Sequence, residues 1–367
     1  MRLLFASDYP HLPENTGGVE VNTHELCLAL GAAGHQVAVM AQLLGRGLVG
    51  TVARAKLRSR LAGNFVVDRS LGYPVLRCWR PVEALHAAME WFRPDVVVVQ
   101  SWDFAMVAEA LRHDVAAMLY SHSAHSAIEG VRTETLGRCV LVANSLFNAR
   151  FQGGAVGVRF DVLHPLVNPD RCRCDGPRSH VVQVGLSPEK GAAVTLAVAE
   201  QRPDIPFLVV QTWEGLRQRP GADALRQKAA TLANVRIIPP ERDPRRLYRR
   251  ARLLLAPSQW LETWGRVVTE VQISGIPVVA SNRGGLPEAV GDGGVVVDWD
   301  APTEAWVAAV ARLWDEPDWY TEMGRRARAR VAKDDVRPGS VLDGFMTLVR
   351  AAIARRVPAH ASTAMVS

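Results

Sequence analysis

The sequence is poor in the features that mark disulfide-rich, zinc-binding and membrane-spanning proteins. Only five of its 367 residues are cysteines, and their odd number and irregular spacing argue against a disulfide framework or a zinc site. We therefore expect reduced thiols and a cytoplasmic location. No run of about 18 uncharged apolar residues occurs, so no transmembrane helix is predicted. The N-terminal stretch lacks the length and flanks of a signal peptide.

Lysine is also scarce. Four of the 43 basic residues are lysines, and the Arg- and Ala-rich usage indicates a GC-rich bacterial genome. The net charge of +6 is compatible with anionic substrates, nucleic acid or a membrane surface. No nucleic-acid-binding module is recognisable, which argues against nucleic acid. The basic segments 54–60 and 241–252 are interpreted as solvated helix faces in preference to peripheral membrane contacts. In the second segment we expect Leu247 and Ala251 on the inward face of a helix.

Apolar strands alternate with amphipathic helices along most of the chain. Strand-like runs at 2–7, 34–41, 95–101, 115–122 and 139–145 precede a Pro-rich, charged stretch at 161–178, and the alternation then resumes. A helix is predicted over 19–33, with Val19, Leu26, Leu30 and Ala33 on one face. Continuous apolar strands that alternate with helices indicate parallel sheets covered on both faces.

This pattern predicts an α/β protein with two Rossmann-like, doubly wound domains that face each other across a cleft. We place the domains at 1–165 and 166–335. A C-terminal helix at 336–356 is expected to pack back on the first domain, and the tail at 357–367 is expected to be disordered.

Two loops that follow strands could bind anions. "ENTGGVE" (14–20) brings Gly17 and Gly18 to a helix start, where backbone amides favour an anion, although a plain tight turn explains it equally well. It is not G-x-G-x-x-G, which argues against a nicotinamide dehydrogenase. "SPEKG" (187–191) places Lys190 at a helix start, where the helix dipole opposes a cation. We favour an anionic ligand there over an exposed lysine.

The segment "ETWGRVVTE" (262–270) carries two carboxylates, Glu262 and Glu270. Eight helical residues turn about 80° beyond two full circles, so the two side chains would not align and should serve different parts of one ligand. Amides around Gly265, Arg266 and Val267 could hold a phosphate between them. The alternative is two solvated acids, which we disfavour because an exposed pair, Trp260 and Trp264, would need a reason. Further along, Gly284–Gly285 follows another strand, and Glu288 is either a ligand group or a first-turn acid.

Taken together and in order, the motifs resemble a known family. "GGVE", "SPEKG", the two glutamates of "ETWGRVVTE", "SGIPVVAS" and "GGLPEAV" are similar to the signature of retaining, nucleotide-sugar-dependent glycosyltransferases of the GT-B fold, glycosyltransferase family 4. The resemblance covers about residues 1–335. It implies a metal-independent enzyme without a cofactor, with a nucleotide-diphosphate sugar as donor substrate and a hydroxyl group as acceptor.

The resemblance also implies roles for individual residues. Lys190 would contact the donor diphosphate, Glu262 the donor-sugar hydroxyls and Glu270 the ribose hydroxyls. Amides around Trp264, Gly265 and Arg266 would hold phosphate and sugar, and Gly18 would lie near the diphosphate. His122 would lie near the donor sugar and acceptor, or be a satisfied structural histidine. Trp102 and Asp103 would line the acceptor cleft.

One position departs from the family pattern. Many members have an arginine directly after the glycine that precedes the lysine loop, whereas this chain has Leu186. Neutralisation of the diphosphate would then depend more on Lys190 and on Arg266 or Arg283, and which arginine substitutes, if any, stays open.

The predicted function is sugar transfer with retention, in bacterial natural-product or surface-glycan biosynthesis. Two alternatives stay open: a nucleotide-sugar epimerase of the same architecture, and a non-catalytic nucleotide-sugar-binding protein.

Overall fold

The computed structural model describes residues 1–59, 63–100, 104–124, 133–211 and 221–356. The chain divides into two compact units, of which unit 1 comprises Met1–Leu166 and Gly339–Ser367 and unit 2 comprises Val167–Pro338. Trp102, Asp103 and the predicted tail at 357–367 lie outside the described residues. In the described part of the chain, no helix combines the length and apolar character that a bilayer crossing requires.

Unit 1 is an α/β unit built on one eight-stranded sheet. Its strands are β1 (Arg2–Pro10), β2 (Gln36–Gln42), β3 (Val66–Asp68), β4 (Val75–Cys78), β5 (Val96–Gln100), β6 (Ala116–Ser121), β7 (Val140–Ala143) and β8 (Asp161–Val162). Its helices are α1 (Gly18–Ala32), α2 (Gly47–Arg58), α3 (Pro81–Phe92), α4 (Phe104–Arg112), α5 (Thr133–Arg138) and α6 (Leu146–Val156), joined by a C-terminal helix that starts at Pro338 and ends at Ala354.

The strand order of unit 1 is β3-β4-β2-β1-β5-β6-β7-β8. Successive side chains of a strand point to opposite faces, and Leu4 and Ala6 of β1 accordingly enter one apolar core while Leu3 and Phe5 enter the other. The C-terminal helix contributes to the second core, where the Phe345 ring stacks on Phe5 with centroids 5.9 Å apart. Both faces of the sheet are therefore covered, which explains why its strands are continuously apolar.

Unit 2 repeats the architecture with six strands, all parallel. These are β9 (His180–Val184), β10 (Phe207–Val210), β11 (Val235–Ile238), β12 (Ala251–Ala256), β13 (Val278–Ser281) and β14 (Gly294–Val297), in the order β11-β10-β9-β12-β13-β14. The helices are α7 (Pro169–Cys172), α8 (Ala192–Gln201), α9 (Ala222–Ala230), α10 (Pro244–Tyr248), α11 (Arg266–Gln272), α12 (Leu286–Val290), α13 (Thr303–Asp315) and α14 (Pro317–Val331). The C-terminal helix of unit 1 is then α15.

The structure corrects three details of the predicted elements. The sheet of unit 1 is not wholly parallel, because the short edge strand β3 pairs antiparallel with β4. On α1, Leu26 and Leu30 are buried as expected, but Ala33 lies beyond the helix end and is exposed, while Val19 is only half-buried. The basic helix α10 ends at Tyr248, so the buried Ala251 belongs to β12 and not to a helix face.

Candidate active site

The first candidate group lies where the strand order of unit 2 reverses. β9 and β12 are neighbours there although they are not consecutive in sequence. The loop after β9 carries Lys190, and the loop after β12 carries Glu262. In open doubly wound sheets, ligands bind beyond the carboxyl ends of the strands at this switch point. The topology of unit 2 therefore selects the same two loops as the sequence motifs.

Lys190 and Glu262 form an ion pair in this position. Nζ of Lys190 contacts Oε1 of Glu262, and Oγ of Ser258 donates a hydrogen bond to the same oxygen at 3.1 Å. The lysine side chain is 40% exposed and the glutamate side chain 17% exposed. Because an ammonium group has three N–H donors, Lys190 can hold Glu262 and still donate to a second anion. The direct pairing was not predicted, since the residues are 72 positions apart.

Two glycines after β13 hold the backbone that carries Glu262. Gly284 has a φ of +64°, and a Cβ at this position would collide with the carbonyl oxygen of Glu262. The N–H of Gly285 donates to that same carbonyl at 2.6 Å. The glycine pair thus supports the Glu262 loop, and Glu288 follows half-buried in the first turn of α12.

The helix between the two glutamates begins as predicted. Gly265 caps α11 with a φ of +87°, where a Cβ would collide with the side chain of Leu286. The helix then runs from Arg266, and the half-buried Val267 packs against the apolar core of unit 2. The first turn of an α-helix leaves amide N–H groups without intrahelical partners, which are the groups that the sequence assigned to phosphate binding.

Glu270 is held from two sides by residues of its own unit. Nε of Arg266 donates to Oε1 at 2.9 Å, and the hydroxyl of Tyr248 donates to Oε2 at 2.5 Å. Burial, together with the neighbouring carboxylate, raises the pKa of Tyr248 far above its usual value, so the phenol stays protonated and donates. Arg266 was predicted to act on a phosphate, but in this structure its guanidinium is paired with Glu270.

Tyr248 was missed in the sequence because it lies within the arginine-rich segment that was interpreted as a solvated helix face. The available signal was its position next to the inward-facing Leu247, at the end of α10.

The prediction that Trp260 and Trp264 are both exposed is wrong. Trp260 is 41% exposed, but Trp264 is only 2% exposed and its indole Nε1 donates to Oγ1 of Thr269 at 3.0 Å. Trp264 contributes to the core of unit 2. The argument that two exposed tryptophans disfavour solvated acids therefore fails. What disfavours solvated acids instead is that Glu262 and Glu270 are both ion-paired and half-buried, with side chains 17% and 13% exposed.

The position directly after Gly185, where many family members have an arginine, is apolar in this chain. Leu186 is buried in a small apolar cluster. Arg283 is half-buried, donates from Nε to the Gln259 carbonyl at 3.2 Å, and places its guanidinium 4.2 Å from the centroid of the Trp299 ring.

Asp298 and Asp300 follow β14 directly and have the D-x-D spacing that can indicate a divalent-metal clamp. Oδ1 of Asp298 accepts a hydrogen bond from Nδ2 of Asn282 at 2.6 Å. Among the residues with described positions, no three His, Cys, Asp or Glu side chains group in a way that could hold a metal ion.

In unit 1, the predicted glycines lie where β1 gives way to α1. Gly17 is the N-cap of α1 and Gly18 its first residue. A Cβ on Gly17 would lie 2.7 Å from Oε2 of Glu20, whose other oxygen accepts a hydrogen bond from Nδ2 of Asn15 at 2.8 Å. A buried carboxylate therefore lies against the turn that was predicted to receive an anion. This position of Glu20 was not predicted from the sequence.

The same β1–α1 loop is anchored by a buried arginine that the sequence did not single out. Arg77 of β4 is fully buried and donates to the Leu12 carbonyl at 2.5 Å, to Asp68 at 2.8 Å and to Glu14 at 3.3 Å. The second oxygen of Glu14 accepts from the amide of Arg46 at 3.0 Å. The sequence signal for this anchor was a charged residue inside the otherwise apolar strand "VLRC".

His122 follows β6 and is buried, with its ring centroid 4.1 Å from that of Tyr120. Burial lowers the pKa of His122 to about 3, so the imidazole is neutral at physiological pH. A neutral imidazole can donate or accept a hydrogen bond but adds no charge to a site. His122, Gly17 and Gly18 are the predicted site residues that lie in the described part of unit 1.

Each of the two units matches the model of a known protein family. The family model described as "Glycosyltransferase Family 4" matches residues 16–151, and the model described as "Glycosyl transferases group 1" matches residues 180–330. Together the two models cover most of the chain, one in each unit. The fold and the matches are those of the GT-B class of glycosyltransferases. Within that class the chain belongs to glycosyltransferase family 4.

A curated relative from Segniliparus rotundus, "D-inositol 3-phosphate glycosyltransferase", is 35% identical over 177 residues. The match takes in 46% of this chain and 38% of the relative, so the chain spans well under half the length of that protein.

Solved structures show the same fold over nearly the whole chain. The Anabaena protein Alr3699/HepE, in complex with UDP-glucose, superposes with a TM-score of 0.75 at 16% identity and covers 96% of this chain and 100% of its own. A sucrose-phosphate synthase from Thermosynechococcus elongatus gives a TM-score of 0.73 at 18% identity, with 96% and 99% covered.

Proposed function

We propose that this protein is a retaining, metal-independent glycosyltransferase that moves a sugar from a nucleotide-diphosphate sugar to an acceptor hydroxyl. The observation that carries the proposal is the Lys190–Glu262 pair at the switch point of unit 2. It combines a cation that retains free donors with a carboxylate that is held in place, and these are the groups that a diphosphate and a sugar hydroxyl require.

Lys190 acts on the leaving group. As the bond between the anomeric carbon and the phosphate breaks, the transition state becomes oxocarbenium-like and negative charge grows on the diphosphate. Lys190 and the first-turn amides of α11 stabilise that charge where it develops. The attack comes from the same face as the departing phosphate, which takes the acceptor proton and leaves the anomeric configuration retained. Lysine and amide groups supply the positive charge, so we propose that no divalent metal is needed.

The two glutamates bind the ends of the donor. Oε1 of Glu262 is occupied by Lys190 and Ser258, which leaves Oε2 to accept hydrogen bonds from donor-sugar hydroxyls. Both oxygens of Glu270 are oriented by Arg266 and Tyr248, and each carboxylate oxygen has a further lone pair for a ribose hydroxyl. On this account Glu262 binds and does not attack, unlike the nucleophile of retaining glycosidases.

In unit 1, His122 supplies a neutral hydrogen-bonding group for the sugar or acceptor, and Gly17–Gly18 let the backbone approach the diphosphate. The structure of Alr3699/HepE with UDP-glucose supports uridine diphosphate sugars as the first donors to test. The name of the Segniliparus relative supports phosphorylated cyclitols as the first acceptors. The arginine-rich composition fits a bacterial source, for which we propose a role in natural-product or surface-glycan biosynthesis, and the five free cysteines fit the reducing cytoplasm.

The proposal is tested by a thermal-shift screen of nucleoside diphosphates and nucleotide sugars, followed by product analysis. A donor at about 100 times its dissociation constant should add about 2.7 kcal/mol to the free energy of unfolding. The stabilising donor is then incubated in EDTA with and without acceptors. Transfer, or slow hydrolysis without acceptor, supports the proposal. An epimerised donor would identify an epimerase, and binding without turnover across the acceptor panel would identify a non-catalytic binding protein.

A further inference from the structure

Helix α2 of unit 1 presents apolar side chains to solvent on one face. Leu48 is 84% exposed, which is the highest value for a large apolar side chain among the described residues, and Val52, one turn further on, is 46% exposed. Residues four apart lie next to each other on a helix surface, so the two side chains form one stripe. The opposite face is buried through Gly50 and Ala53.

The stripe is flanked by positive charge without any acid. At about 100° per residue, Lys56 lies on one side of the stripe and Arg58 on the other, and α2 contains no Asp or Glu. Arg54 is half-buried on the far side of the helix. Neither Lys56 nor Arg58 makes an ion pair or a side-chain hydrogen bond with another residue in the described ranges. We call Leu48, Val52, Lys56 and Arg58 the α2 face. Its cations are not neutralised within the protein, and its apolar side chains are not covered.

The other basic segment lacks this arrangement. Helix α10 has only five residues, and its apolar side chains, Leu247 and Tyr248, are buried. Arg245 of that helix pairs with Asp243 at 2.9 Å. The interpretation as a solvated helix face therefore suits α10, whereas α2 combines free cations with exposed apolar groups.

We propose that the α2 face docks this protein on an anionic lipid surface. A helix with an apolar stripe between basic residues lies in the plane of a bilayer interface, where the apolar groups enter the headgroup boundary and the cations meet lipid phosphates. Charge complementarity selects the partner: a face without carboxylates fits a surface of uniform negative charge. The contact is peripheral and reversible, and it does not depend on the proposed transfer reaction.

The test is co-sedimentation of the full chain with phosphatidylcholine vesicles that contain phosphatidylglycerol or lack it. The protein should bind only the anionic vesicles and should be released at high salt, because screening shortens the range of the attraction. Each Lys or Arg near an anionic surface contributes about fivefold to binding. The double variant Lys56→Gln, Arg58→Gln should therefore bind about 25-fold more weakly.

A matched control removes the same charge elsewhere. The variant Arg246→Gln, Arg249→Gln alters two exposed arginines of the second basic segment, so both double variants lower the net charge by two. The control should change vesicle binding by less than about threefold, since only charges near the surface contribute.

The apolar contribution is tested separately. Leu48→Ser should weaken binding about tenfold, whereas Leu28→Ser, at a position 44% exposed on α1, should leave it unchanged. All these positions are exposed, and thermal unfolding confirms that each variant is folded. Equal binding to neutral vesicles, equal losses in the two double variants, or no binding to anionic vesicles would each overturn the proposal.

Discussion

Single substitutions can test separately the two roles that we propose for Lys190 and Glu262. With side chains 40% and 17% exposed, the pair is partly screened by solvent and should contribute about 1 kcal/mol to stability. Lys190→Ala should therefore leave the protein folded. A charge-assisted hydrogen bond to a bound diphosphate contributes about 1.5–3 kcal/mol, so the same substitution should weaken nucleoside-diphosphate binding by about 10- to 150-fold.

Glu262→Gln should behave differently, because it keeps the shape of the side chain and releases Lys190 from its partner. Affinity for the nucleoside diphosphate without a sugar should stay the same or rise by up to about fivefold. Affinity for the complete nucleotide sugar should fall, because the carboxylate that receives the sugar hydroxyls is gone. Isothermal titration calorimetry with the diphosphate and with the nucleotide sugar measures both effects in each variant.

Lys228→Ala is the matched control for this experiment. Lys228 pairs with Glu200 in the same unit, with side chains 43% and 55% exposed, but lies on α9 and not at the switch point. Its removal should leave both affinities unchanged. Calorimetric titrations that are identical for wild-type protein and Lys190→Ala, or an equal loss in Lys228→Ala, would refute the assignment of Lys190 to the diphosphate.

Three further variants test other parts of the account. Tyr248→Phe removes the hydrogen bond to Glu270 and should lower nucleotide affinity about tenfold in calorimetry, because a donor to a charged group is lost; an unchanged affinity would show that Glu270 needs no such support. Arg77→Ala should lower the free energy of unfolding in urea by about 3–5 kcal/mol, since it leaves Glu14 buried and unpaired, and a loss below about 1 kcal/mol would contradict this. The pKa of His122 is about 3 in the fold against about 6.5 unfolded, so the unfolded chain takes up the proton first as pH falls. Stability from this group is complete above about pH 6.5 and declines toward pH 3, by up to about 1.4 kcal/mol per pH unit, and in His122→Asn that part of the slope should disappear.

The architecture was predictable because the apolar runs of buried parallel strands are continuous and therefore visible in one dimension. The run at 95–101 became β5, whose alternate valines enter both cores of unit 1. Element ends were less predictable. Ala251 follows an arginine-rich helix by three residues, and nothing in the sequence marks the change from helix to strand at that point.

The positions of the candidate site residues could be found from loops that follow strands, but their partners could not. Lys190 and Glu262 meet only because β9 and β12 are neighbours in the sheet, which depends on strand order and not on spacing in the chain. Glu270 and Arg266 are four apart on one helix, so their ion pair was within reach of sequence reasoning. The burial of Trp264 was not, because it depends on how α11 packs against its neighbours.

The central claim is transfer of a sugar with retained configuration and without metal. Time-resolved proton NMR of the reaction in EDTA, with the donor identified by thermal shift and a cyclitol phosphate or another hydroxyl acceptor, measures the anomeric configuration of the first product formed. The account predicts a glycoside with the same anomeric configuration as the donor, formed at an undiminished rate. A first product of inverted configuration, or a reaction that stops in EDTA and resumes when a divalent metal is added, would contradict it.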